Sequence, residues 1–568
     1  MTGVPSCMGI SAAARPTVTK AGAQNRFDRL LACWHNFDAA RDRRTAVIFS
    51  CGLVVICGAT VLIGAVPTRM CGHDVFVALD MGWRVVNGQR PHVDFTSGWG
   101  PVWFLVAALG LRISRYSVDG IGHANAIVAL VVGSWSFFIA RGRLSSSWRI
   151  VLSLFLAALV CSPYVLGFSP LMSTHAMVYN RYGYALLGLI MVECFEEVRD
   201  SYGNCRKEWI GGVSTGAALS LGLFLKASFF LVGLGLVAIL SLLPRRLGYR
   251  RVGGMLVGFS FVSLCLLAYL RFDLLGMVRD LRMAGAVRSE LLTWDIFLAK
   301  LMSGLLVLLG LVLLAFLAGT FLGSRVERWH GPKLMIIGIS LFAADMSLIL
   351  TNAQGGAFPL CAVFGILIGN DLMRHWQALP QAGAHGSRAL LAEVLCLAAL
   401  LFVPLFVSDL VGLAYGLWDK EHTPSERLVT RFATPNLKPL LLYDGYPPSS
   451  NGRVFTTYVN DGVALLKRES RSNEKILSMD MTNPFSYALE RKPPHGGIAS
   501  PTYHFNIDDQ HRPSDDEFFG DADIVMVPKH PALDDFFYKG FLRAYKPGLN
   551  RRYQLVAQSD WWWMYQKR

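Results

Sequence analysis

A bundle of about eleven membrane-crossing α-helices followed by a C-terminal extracytoplasmic α/β or α+β domain is the fold class the sequence predicts, on three observations. Hydrophobic residues make up 53% of the 568-residue chain and charged residues 17%, with a mean hydropathy of +0.39, so lipid must be the solvent for much of it. Apolar runs long enough to cross roughly 30 Å of hydrocarbon begin near Ala46 and recur to about Leu413. After Trp418 they stop, and the tail is rich in Pro, Asp and aromatic residues with short alternating apolar stretches.

Residues 1–45 are polar and basic, and no small-residue cleavage site follows the first apolar run, so that run is read as a retained span behind a cytoplasmic N-terminal segment. The spans expected are Ala46 to Val66, Ile121 to Ala140, Ile150 to Phe168, Gly183 to Val198, Trp209 to Leu225, Phe229 to Leu243, Val252 to Leu270, Ile296 to Leu322, Leu334 to Leu350, Phe358 to Met373 and Ala389 to Leu413. Val102 to Leu111 is too short to cross and is placed as an interfacial or re-entrant helix.

The formal charge of +14 is not a nucleic-acid footprint. From Asp419 on, 20 Lys and Arg meet 19 Asp and Glu, so the excess belongs to the apolar part. There it sits in short clusters between spans: Arg141 with Arg143, Arg206 with Lys207, Arg245 to Arg251, Arg325 with Arg328, and Arg374 with Arg388. These fall on one side, which the positive-inside rule makes the cytoplasm. The N-terminus is then inside, residues 46–418 form the transmembrane part, and the domain of residues 419–568 lies outside. Three further segments face outside: Pro67 to Gly120, Ser169 to Tyr182, and Arg271 to Asp295. In the tail, Lys475 to Met479, Ala522 to Val527 and Tyr553 to Val556 read as strands and Val463 to Ser470 as helix, while Trp561, Trp562 and Trp563 must face alternate sides of a strand. Eleven cysteines, with no CxxC pair and none beyond Cys396, suggest neither a disulfide framework nor a cysteine metal site.

The most informative stretch is CGHDVFVALDMGWRVVNGQRPHVDFTSGWGP, from Cys71 to Pro101. It holds an acidic residue shortly after the first span (Asp74), a short amphipathic helix (Val75 to Val86), a Gly-Gln-x-Pro turn (Gly88 to Pro91), an Asp-Phe pair (Asp94, Phe95), and a Gly-Pro (Gly100, Pro101) that starts another apolar helix. This loop resembles the first extracytoplasmic loop of polyprenyl-phosphate-dependent glycosyltransferases of the GT-C fold, among them the protein mannosyltransferases and the aminoarabinose and galacturonosyl transferases of lipid A. Many relatives carry Asp-Glu where this chain has His73 and Asp74.

The resemblance implies an inverting membrane glycosyltransferase of a bacterial inner membrane, moving a sugar from a polyprenyl-phosphate donor to a glycan or lipid acceptor at the outer face. It implies Asp74 as the carboxylate that activates the acceptor, with burial raising its basicity, and Asp94 as a second carboxylate: metal ligand, acceptor contact or loop-structuring residue. From the residues alone, Asp74 equally serves as a cap of the amphipathic helix and Asp94 of a turn. His73, Trp83 and His92 are acceptor-facing or loop-shaping candidates.

A polyprenyl phosphate needs cations just outside the bilayer. Candidates are Lys226 in LFLKASFF, Arg181 in YNRYGYA, and Arg279 and Arg282 in the third outside segment. Lys226 interrupts an apolar stretch where an ammonium is costly without a partner, and snorkelling to headgroups is its alternative role. Asp345 lies within a span, where proton coupling and a helix–helix bond compete as explanations. His73, His92 and His175 could join the loop aspartates around a divalent metal, yet no HxxxH-type spacing supports this, and the metal stays open. Two other classes answer to the same composition: a transporter or lipid flippase, and a non-catalytic anchor displaying a glycan-binding domain.

Overall fold

The computed structural model describes residues 20–195, 204–242, 248–289, 293–322, 331–352, 354–378, 385–422, 430–443, 452–531 and 535–568. It is a polytopic helical membrane protein with a C-terminal α/β domain. Fourteen helices precede the tail: α1 (Lys20–Ile63), α2 (Gly72–Val86), α3 (Pro101–Ile113), α4 (Gly120–Ile139), α5 (Ser146–Cys161), α6 (Val178–Phe195), α7 (Asn204–Leu225), α8 (Ala227–Leu242), α9 (Tyr249–Tyr269), α10 (Leu274–Ser289), α11 (Trp294–Leu322), α12 (Gly331–Thr351), α13 (Pro359–Ala378) and α14 (His385–Glu421). Each expected span overlaps one of them, Ile150 to Phe168 running on past the end of α5, and Val198 and Leu243 lie outside the described residues.

Among the described residues seven helices contain segments long and apolar enough to cross a membrane: Asp42–Ile63, Gly120–Ile139, Lys207–Leu225, Tyr249–Tyr269, Trp294–Thr320, Pro332–Thr351 and Leu391–Glu421. The other four expected spans fall on α5, α6, α8 and α13. Helices α5 and α8 have 16 residues each, reaching about 24 Å. Helix α6 is buried along its whole length, which is how it tolerates Asn180, Arg181 and Glu193. Of the basic clusters, Arg245, Arg246, Arg325 and Arg328 lie outside the described residues, as do the side chains of Arg206 and Arg388.

Without a hydrophobic drive between helices in lipid, close packing must hold the bundle, and small residues allow it. Helices α7 and α9 interlock through four glycines. A Cβ on Gly212 would lie 2.2 Å from the Arg251 carbonyl oxygen, on Gly216 2.0 Å from Met255 O, on Gly254 2.2 Å from Trp209 O, and on Gly258 2.1 Å from Val213 O. Helices α7 and α8 fold back on each other about the single residue Lys226, so that Gly222 faces Phe230 and Gly233 faces Leu219.

The tail adds α15 (Gly452–Glu469), β1 (Ile476–Ser478), α16 (Phe485–Ala488), α17 (Asp515–Phe519), β2 (Ile524–Pro528), α18 (Asp535–Arg552), β3 (Tyr553–Gln558) and β4 (Trp562–Lys567). The sheet order is β1-β2-β4-β3, with β1 and β2 parallel and the other pairs antiparallel. Side chains alternate between two cores, as a strand period of two demands. Ile524, Met526, Trp562 and Met564 face α15 and α16, while Val525, Val527, Trp563 and Tyr565 face α17 and α18.

The short amphipathic helix expected over Val75 to Val86 is α2, and it is covered on all sides along its middle. Every residue from Val75 to Val85 is buried. Val75, Phe76, Leu79 and Trp83 join Leu111 of α3 in one core with Tyr458, Val463, Leu466, Phe485 and Trp562 of the tail. The first loop is therefore sandwiched, and the tail is built onto it.

Candidate active site

The three segments expected to face outside and the tail converge on a cavity of about 540 Å³, mostly apolar in lining. The first loop contributes Cys71, His73, Asp74, Gly98, Trp99 and Trp103; the second segment Met177 and Tyr179; α10 contributes Leu281, Ala284 and Gly285; and the α12 end Thr351 and Asn352. Lys226 enters at the α7–α8 turn, and Met481, Thr502 and Phe505 are among the tail residues that close it.

Asp74 lies in the first turn of α2, where the helix dipole favours a carboxylate. Its amide donates to Cys71 O at 3.0 Å, and Cys71 takes the left-handed conformation that starts the helix. His73 Nε2 stands 3.4 Å from Asp74 Oδ1. Burial raises the Asp74 pKa above the ordinary carboxylate range, against a smaller lowering by His73. The same burial pushes the neighbouring Cys71 thiol up to about 12, so it stays protonated.

Lys226 Nζ donates to Asn352 Oδ1 and, at 3.3 Å, to Thr351 O. It also lies 5.5 Å from the centre of the Tyr179 ring. Neutral oxygens and a ring face thus hold the ammonium at the wall of the cavity. Tyr179 belongs to an aromatic cluster: its ring is 4.8 Å from Trp103 and 5.9 Å from Trp99, and Trp99 is 5.7 Å from Trp103.

The other sequence candidates lie elsewhere. Arg181 does not line the cavity: it is 2% exposed and donates to Asp409 Oδ1 at 2.9 Å, to Leu159 O and to Tyr164 O, tying α6 to α14. Residues two apart on a helix face nearly opposite ways, so Tyr179 reaches the cavity and Arg181 turns from it. Arg279 pairs with Glu517 at 2.7 Å and with Asp280 at 3.2 Å, and Arg282 is exposed; neither lines the cavity.

Asp94 shapes its loop, accepting from Arg90 N at 2.7 Å, while His495 Nδ1 approaches at 3.3 Å. Trp83 donates to Arg491 O at 2.8 Å. His92 is buried 3.0 Å from Asp280, and His175 Nε2 sits 2.9 Å from Gly64 O. Burial lowers the His175 pKa to about 4 and keeps the ring neutral. The three histidines make separate contacts, and among the described residues no group of three or more His, Cys, Asp or Glu comes together as a metal site. Asp345 accepts from Leu360 N at 3.2 Å and Cys361 N at 3.0 Å, capping the start of α13.

Sequence reasoning missed Trp99, Tyr179, Asn352 and the tail residues. It also missed Asp80, buried against Arg84 at 3.5 Å, whose pKa burial raises to about 6. Tyr179 lies in YNRYGYA and Asn352 at the end of α12, and polarity at a span end is the signal that could have found them.

No protein-family model matches the sequence, and no curated protein matches it. In structure the chain is similar to crystal structures of ArnT from Cupriavidus metallidurans. The one bound to undecaprenyl phosphate aligns at 13% identity with a TM-score of 0.46, covering 92% of this chain and 97% of that one. The apo structure aligns at 12% identity with a TM-score of 0.47 over the same shares.

Proposed function

We propose that this chain is a membrane glycosyltransferase that moves a sugar from a polyprenyl-phosphate carrier to a hydroxyl or amine of a glycan or lipid acceptor. One observation carries the reading: Asp74 and Lys226, distant in sequence, line the same apolar-walled cavity between the helical bundle and the tail. A buried carboxylate of raised basicity suits proton abstraction, and a held ammonium at a span end suits a phosphate ester whose chain lies in lipid.

Asp74 takes the proton as the acceptor heteroatom attacks the anomeric carbon from the face opposite the phosphate. The bond from that carbon to the phosphate oxygen breaks, and its electron pair leaves with the polyprenyl phosphate, whose added charge faces Lys226. A single displacement inverts the anomeric centre, and the proton leaves Asp74 to solvent afterwards. The trapped aromatic wall of Trp99, Trp103 and Tyr179 gives sugar and prenyl carbons an apolar surface. The basic clusters between spans support a cytoplasmic N-terminus with the cavity and the tail at the outer face, and the resemblance of the first loop supports a bacterial inner membrane.

The test is transfer of radiolabelled sugar from a panel of polyprenyl-phosphate sugars by purified protein in lipid nanodiscs, wild type against Asp74→Asn. Transfer by wild type and its loss in a folded variant supports the reading. Wild-type protein that transfers nothing across a broad panel, but moves labelled lipid between leaflets, makes it a flippase instead.

A further inference from the structure

We infer that Asp280 is a positioning residue that sets the aromatic wall of the cavity and, through it, Lys226. Asp280 is fully buried on α10, outside the cavity lining. A buried carboxylate is costly unless several donors meet it, so its partners show what it holds. One is His92, whose Nδ1 lies 3.0 Å from Oδ2 and whose backbone sits in the left-handed region at φ 67°. Another is the amide of Ser97, which donates to the same oxygen at 3.1 Å. Arg279 reaches Oδ1 with Nε at 3.3 Å and Nη2 at 3.2 Å.

From Ser97 the chain of contacts runs without a gap to the candidate phosphate ligand. The Ser97 hydroxyl donates to Trp99 O at 2.8 Å and accepts from Trp99 N at 3.1 Å, fixing the turn that carries the Trp99 ring. That ring packs at 5.9 Å on Tyr179, and Tyr179 lies beneath the Lys226 ammonium. Helix α10 is pressed against the same loop at a second point, where a Cβ on Gly276 would sit 2.8 Å from His92 O. The stripe Leu281, Ala284 and Gly285, which begins one residue after Asp280, forms the facing part of the wall. Asp280 thus joins two outside segments at a point beneath the cavity surface, with both the Trp99 turn and the α10 stripe referred to one carboxylate.

The inference deepens the reading of the cavity as a lipid-phosphate donor site, and its test separates the two. The full chain, labelled with 5-fluorotryptophan in nanodiscs, is observed by ¹⁹F NMR, with the Trp99 line assigned by Trp99→Phe. Asp280→Asn is expected to shift the Trp99 line while the line of Trp294, exposed on α11, stays in place. Ser97→Ala, which leaves the buried charge untouched, is expected to shift the same line, and it carries the test if Asp280→Asn does not fold. The dissociation constant for a polyprenyl phosphate should rise on the order of tenfold in either variant. A Trp99 line unmoved by both substitutions overturns the inference. A Trp99 line that moves, with no polyprenyl phosphate bound even by wild type, upholds the role of Asp280 and overturns the donor reading alone.

Discussion

Replacing Gly100 with alanine asks for space that the fold does not have. A Cβ there would stand 2.0 Å from the carbonyl oxygen of Phe224, 2.4 Å from its carbonyl carbon and 2.9 Å from its Cα. Ordinary contact needs about 3.4 Å, and the obstacle is backbone, so the start of α3 and the end of α7 must part by more than about 1 Å. The bond from Gly100 N to Leu225 O, 3.1 Å long, is lost in the same movement. Overpacking at about 1–3 kcal/mol and one hydrogen bond at about 1 kcal/mol give a destabilisation of about 2–4 kcal/mol. The functional effect should be larger, because the next residue after Leu225 is Lys226. A group misplaced by about 1 Å can cost on the order of 10²-fold in rate. Transfer kinetics in nanodiscs, with a thermal melt of the same sample, measure both effects. Gly310→Ala on α11, where an added Cβ meets nothing within 4 Å, serves as the neutral control. A Gly100→Ala protein that keeps both the melting temperature and the donor KM of wild type would refute the argument that α3 is seated on the end of α7.

Other substitutions test separate parts of the account. Lys226→Met should raise the donor KM by about 10–100-fold, the worth of a charge-assisted contact of about 1.5–3 kcal/mol, with acceptor KM little changed. Because Asp74 must be ionised to act, the wild-type rate should climb with pH through a value above the ordinary carboxylate range, and a limb falling at the free-carboxylate position would contradict the burial argument. Asp80 holds its proton more tightly folded, to about pH 6, than unfolded, so its contribution to stability is complete below about pH 4 and declines by about 3 kcal/mol as pH rises through 6. The melting temperature of wild type relative to Asp80→Asn should therefore rise as pH is lowered from 7 to 5, and a constant gap would count against it. Gly216→Ile should separate α7 from α9 and destabilise the bundle by at least about 1–3 kcal/mol, read as a lowered melting temperature.

The helices were legible because each apolar run is long and continuous, and a membrane permits little else in its interior. The strands were legible for a similar reason: Ile524 to Val527 is apolar on both sides because it faces two cores. Burial of α2 was not legible, since nothing local in Val75 to Val86 says that the tail, some hundreds of residues later, covers its polar-looking side. The Gly-Gln-x-Pro turn illustrates the same limit. Gln89 donates to the carbonyls of Pro493 and Pro494, so part of the motif docks the tail rather than facing the cavity. Asp74 and Lys226 could be singled out because a charge in or beside an apolar run is conspicuous. Arg181 was conspicuous in the same way, and only three-dimensional packing tells a charge paired inside the bundle from one at the wall of a cavity.

The single-residue turn at Lys226 also bears on how the chain is made. Helix α8, with 16 residues, is too short to be a dependable insertion signal by itself, and α7 ends in the residue before the turn. With no loop between them the two helices form a hairpin with a lysine at its apex, and carrying that ammonium through hydrocarbon is a cost of inserting the hairpin. An apolar residue in place of Lys226 removes that cost, so such a variant is expected to reach the membrane in higher yield even where it loses activity.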